Sequence, residues 1–125
     1  MQGETFGSLL KKLRVKEANI GLRVFAGMIN MKPSNLSNIE TGRIAPPANI
    51  EAIKTICDAL GLSSNAPRRE KLFDLAAKAK NRIPADVADA VKKQKGIPVL
   101  VRTVANKQLS EKKLRELTEY IKKFY

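Results

Sequence analysis

Apolar residues recur at three-to-four spacing along nearly the whole chain, and strand-like alternation never lasts more than a few positions. Phe6, Leu9, Leu10 and Leu13 predict a first helix over residues 6–18, and Leu22, Phe25, Ala26 and Ile29 a short second one. Asn30 follows, a residue that tolerates the left-handed backbone a tight turn needs. Pro33 suits the first position of a third helix, where its missing N–H would have no partner anyway. That helix turns Leu36 and Ile39 inward and ends at Gly42. After the rigid Ala45-Pro46-Pro47 connector, Pro47 is expected to open a fourth helix over 47–60 that buries Ile50, Ile53, Ile56, Cys57 and Leu60, with Gly61 closing it.

The stretch Ser63-Ser64-Asn65-Ala66-Pro67 reads as a linker and divides the chain into residues 1–65 and 66–125. Beyond it a fifth helix is expected over 68–80 (Leu72, Phe73, Leu75, Ala76, Ala79). A sixth starts at Pro84 and is broken by Gly96, and a seventh starts at Pro98. Ser110 is a good N-cap for a last helix carrying the stripe Leu114, Leu117, Ile121 and Phe124. The fold class expected is all-α: a small N-terminal bundle followed by a helical extension.

Composition narrows the function. The 125 residues are 43% hydrophobic and 29% charged, ordinary for a globular protein. No apolar run approaches the roughly 20 residues that span a bilayer, and residues 1–8 lack a signal-peptide pattern. The expectation is therefore a cytoplasmic protein without a membrane partner. With no His and one Cys, histidine-based catalysis, His or Cys-rich metal sites and an intramolecular disulfide are excluded. The seven glycines are scattered and form no phosphate loop, so no catalytic residue, metal or cofactor is expected and the chain reads as a non-enzyme. Cys57 lies in an apolar helical run and reads as a core thiol.

The net charge of +12 favours an anionic partner, nucleic acid being the commonest. It is unevenly spread. Residues 1–65 hold 8 Lys and Arg against 5 Asp and Glu, and residues 66–125 hold 16 against 7. Two short helices joined by a tight turn hold a third at a fixed angle, so that its outer face can enter a major groove roughly 12 Å wide. Here that face offers Ser34, Asn35, Ser37 and Asn38, with no acid before Glu40. Any one of these short polar residues could be a solvated helix position; as a set within this frame they form a reading surface.

The segments Leu22-Arg23-Val24-Phe25-Ala26 and Ser34-Asn35-Leu36-Ser37-Asn38-Ile39-Glu40-Thr41-Gly42-Arg43 resemble the Cro and phage-repressor (XRE) helix-turn-helix family over residues 6–62. The resemblance implies a five-helix, lambda-repressor-like bundle that binds double-stranded DNA. Within it Pro33, Ser34, Asn35 and Ser37 would face bases, while Arg23, Lys32, Asn38 and Arg43 would hold phosphates. Glu40 would be structural, tying helix to turn. Asn30 replaces the family's usual glycine, Lys32 its usual Ser or Thr cap, and Leu22 a glutamine that reaches DNA in many relatives.

In the second half, Leu72-Phe73-Asp74-Leu75-Ala76, Ile83-Pro84-Ala85-Asp86-Val87-Ala88 and Val99-Leu100-Val101-Arg102-Thr103 resemble a helical extension found behind some of these regulators. That resemblance implies support of dimerisation or, in a related arrangement, a repressor cut by a partner metalloprotease. The stripe Leu114, Leu117, Ile121 and Phe124 needs a cover, either its own domain or a second copy. The reading is a homodimeric repressor on an inverted-repeat operator. The alternative is an antitoxin-like or protease-regulated protein whose C-terminal half binds a protein partner, a toxin or a metalloprotease, with DNA binding for autoregulation. RNA binding lacks support, because Phe6, Phe25, Phe73 and Phe124 all sit on apolar stripes rather than on a stacking platform.

Overall fold

The computed structural model describes residues 3–64, 66–80 and 82–125. Among these residues the secondary structure is entirely helical: α1 (Phe6–Lys12) running into a π-helical turn (Leu13–Glu17), then α2 (Leu22–Met28), α3 (Pro33–Thr41), α4 (Ile50–Ala59), α5 (Pro67–Ala79), α6 (Ala85–Lys93), α7 (Gly96–Lys107) and α8 (Glu111–Phe124). No helix among them is long and apolar enough to cross a membrane.

A capping box starts α1. The Ser8 amide donates to Thr5 Oγ1 at 3.1 Å, and the Thr5 amide donates to Ser8 Oγ at 2.8 Å. The single helix expected over 6–18 is in fact α-helical only to Lys12. It then widens into the π turn, where the Ala18 amide reaches the Leu13 carbonyl at 2.8 Å and Leu13 and Arg14 are both buried.

Three helix ends share one device. A residue at positive φ (Asn30 at 54°, Gly42 at 81°, Gly61 at 77°) terminates α2, α3 and α4. The next amide reaches back to the last turn: Met31 to the Ala26 carbonyl, Arg43 to Asn38 and Leu62 to Cys57, at 2.9–3.0 Å. These are Schellman closures, and they satisfy carbonyls that would otherwise be orphaned.

Two helix starts differ from the pattern-based expectation. α4 begins at Ile50 rather than at Pro47, because the Asn49 side chain accepts from the Ala52 amide at 3.1 Å. A start at Pro47 would leave Pro46 at the cap, with no side-chain acceptor. α7 begins at Gly96, with Pro98 inside its first turn, where a missing N–H costs nothing.

One continuous core joins α1 to α5: Phe6, Leu9, Leu10 and Leu13 meet Phe25, Ala26 and Ile29 of the second helix, Leu36 and Ile39 of the third, Ile53, Ile56 and Cys57 of the fourth, and Leu72, Phe73 and Ala76 of the fifth. The chain forms two compact units, Met1–Asp89 and Ala90–Tyr125, and α5 packs within the first. The physical reason is that four short helices leave the core open on one side. α5 closes it, and burial of Leu72 and Phe73 stabilises the unit by about 1.5–3 kcal/mol each.

In the second unit no residue of α7 or α8 is buried. Leu114 and Leu117 are half-buried, whereas Ile121 and Phe124 are exposed.

Candidate nucleic-acid interface

The turn between α2 and α3 is short because Asn30 adopts the left-handed conformation itself, without needing glycine. Ala26 is fully buried at this junction beside Phe25, and Leu36 and Ile39 anchor α3 from its inner face. Lys32 stands at the N-cap in extended backbone and makes no capping bond with its side chain, which leaves its ammonium in solvent.

The expected reading residues fall as follows. Ser34 and Asn35 are exposed on the first turn of α3, while Pro33, Ser37 and Asn38 are half-buried. Arg23, at the start of α2, and Arg43, just past the end of α3, are exposed. The Asn38 carbonyl accepts from the amides of both Arg43 and Ile44, at 2.9 and 3.2 Å, which fixes where the Arg43 side chain leaves the helix. The Thr41 hydroxyl is turned back on its own helix, donating to the Ser37 carbonyl at 3.0 Å.

Glu40 is buried, and this changes the electrostatics of the face. Its carboxylate receives two parallel bonds from Arg14, from Nε at 2.7 Å and from Nη2 at 2.9 Å. The Arg14 Nη1 donates to the Ile20 carbonyl at 2.9 Å, just ahead of α2. One guanidinium therefore ties α3 to the π turn and to the segment that leads into α2. The side chains of the pair are 7% and 4% exposed, and the Glu40 bond holds the Arg14 pKa above its ordinary value. The only acid of α3 is thus neutralised inside the domain, and the outward face presents no carboxylate to a polyanion.

Arg14 was absent from the sequence-based expectation. The signal for it was available: Arg14 stands four residues after Leu10, and Glu40 four after Leu36, each on an apolar stripe where an unpaired charge would be costly. Cys57 is fully buried in the core, and burial pushes its thiol up to about 11, which suits a packing residue. The stripe Leu114, Leu117, Ile121 and Phe124 belongs to the second unit.

A family model described as a helix-turn-helix domain matches residues 5–71. Among solved structures, the crystal structure of the clp gene regulator ClgR from C. glutamicum is 27% identical, with 59% of this chain and 86% of that chain covered and a TM-score of 0.44. No curated protein matches the chain.

Proposed function

Since the chain belongs to the helix-turn-helix domain family, whose model spans residues 5–71, we propose that it is a sequence-specific regulator of transcription that reads double-stranded DNA with α3. The observation carrying this reading is the charge arrangement of the face. Ser34, Asn35, Ser37 and Asn38 lie among Arg23, Lys32 and Arg43, and the one acid of the helix is buried against Arg14. Phosphate contacts supply affinity and register, and contacts from the short polar residues choose the sequence.

The reading extends to a homodimeric repressor on an inverted repeat. One short helix spans few base pairs, whereas two reach half-sites about 34 Å apart. The open stripe Leu114, Leu117, Ile121 and Phe124 supports pairing of α8 with a second copy, since α8 has no buried residue. The same exposure favours a second reading, in which this unit takes a different protein and DNA binding serves autoregulation.

Fluorescence anisotropy with DNA from the gene's own upstream region tests the proposal, at about 150 mM salt and with excess unrelated duplex. Saturation at two chains per site supports the dimeric regulator. Binding abolished by the competitor leaves only charge-driven affinity and refutes sequence reading by α3.

A further inference from the structure

The loop leaving α3 is poor in the charge that a DNA-facing loop would use. After Arg43 it runs Ile44-Ala45-Pro46-Pro47-Ala48-Asn49, with no cation. Beside it lies the end of α5. Lys80 and Arg82 line a small cleft together with Pro47 and Ala48, and both are exposed. Lys78 stands on the loop's other flank, in a wide groove shared with Gly42, Ile44, Ala45 and Pro46.

The cations of α5 and of the segment just past its end divide into two groups. In its first half, Arg68 pairs with Glu17, Arg69 with Asp58 at 2.9 Å, and Lys71 with Glu4. These charges are spent on the domain's own carboxylates. Among the described residues Lys78, Lys80 and Arg82 have no such partner, and of these Lys80 and Arg82 stand together at the cleft beside Pro47 and Ala48. The net effect is a pair of solvated cations delivered to an uncharged loop by a helix distant in sequence.

We propose that Lys80 and Arg82 are phosphate-binding residues of the DNA interface, continuing past Pro47 and Ala48 the backbone contact that Arg43 begins. This rests on the reading of α3 as the DNA-reading helix. The ligand chemistry is a phosphodiester of the duplex backbone, so the contribution is to affinity and register and is independent of base sequence. It also gives α5 a second role beside closing the core, because its packing through Leu72, Phe73 and Ala76 fixes where its last turn ends.

The test compares the salt dependence of binding for the parent chain, the Lys80→Gln/Arg82→Gln double variant and Lys78→Gln. The probe is a duplex recovered by the parent from a random pool, titrated between about 50 and 200 mM salt. The double variant is expected to lower the slope of log K against log salt by about two, with preference among sequence variants of the duplex unchanged. Lys78→Gln, which removes a charge from the same helix end on the other flank, is expected to leave the slope at the parent value. An unchanged slope in the double variant, with the parent still selecting sequence, overturns this assignment alone. An equal loss per charge in Lys78→Gln also overturns it, since net charge would then suffice. A parent that recovers no duplex overturns both this assignment and the reading beneath it. Retained helicity by circular dichroism is checked first, and both sites are exposed, so unfolding would not imitate the effect.

Discussion

Replacing Gly7 with alanine tests how closely α1 presses on the end of α3. A Cβ at Gly7 would lie 2.1 Å from the Ile39 carbonyl oxygen, 2.7 Å from the Glu40 carbonyl oxygen and 2.9 Å from the Glu40 carbonyl carbon. All three are backbone atoms, so no side chain can swing aside and the two helices must separate. Overpacking of this kind costs about 1–3 kcal/mol, and a contact so short against backbone belongs at the upper end. Alanine regains about 0.5–1 kcal/mol of helix propensity, leaving a net loss of about 2 kcal/mol. For a domain of this size that lowers the midpoint of thermal unfolding by about 8–16 °C.

Far-UV circular dichroism on heating measures the effect, with Gly27→Ala as its counterpart. Gly27 is an exposed residue of α2 with nothing within 4 Å of an added Cβ, so that variant should be as stable as the parent or up to about 1 kcal/mol more so. A Gly7→Ala protein that melts at or above the parent temperature would refute the close approach. DNA affinity adds a second readout, since forcing the helices apart displaces α3 even where the fold survives.

Arg14→Met strands the buried Glu40 carboxylate and should cost about 3–5 kcal/mol in urea unfolding, whereas adding Glu40→Leu should restore most of the loss. Ser37→Ala should change preference at one base pair by roughly 1–3 kcal/mol, while Arg43→Ala should weaken binding to every duplex and lower the salt slope by about one; competition against single-site operator variants separates the two. Cys57 should resist thiol reagents in the folded protein at neutral pH and react once denaturant exposes it. Its folded pKa of about 11 exceeds the ordinary value of 9.0, so the neutral thiol favours folding. That contribution is fully present below pH 9 and fades as pH rises toward 11, a decline that Cys57→Ala should lack in urea titrations across that range.

Much of the fold is legible in the sequence, because local rules decide it. The residues that build the core, from Phe6 through Ala76, are those the three-to-four spacing points inward. Asn30, Gly42 and Gly61 take the left-handed conformation their residue types favour, and Ser110 caps α8 as expected, accepting from the Lys113 amide at 3.2 Å. The helix pair and its polar outer face follow from these choices alone, since each depends on neighbours within one or two turns.

Tertiary structure decides what depends on residues far apart in the chain. Arg14 and Glu40 are 26 positions apart; their places on apolar stripes mark each as facing inward, but only packing pairs them and removes the acid from the outer face of α3. Gly7 matters only because another helix's backbone crosses it. The turn-rich stretch at 63–67 looks like a boundary, yet α5 is drawn into the first unit because its apolar face fits the side of the core that four short helices leave uncovered. Spacing along the chain fixes which face of a helix is apolar; which partner covers that face is a property of the assembled core.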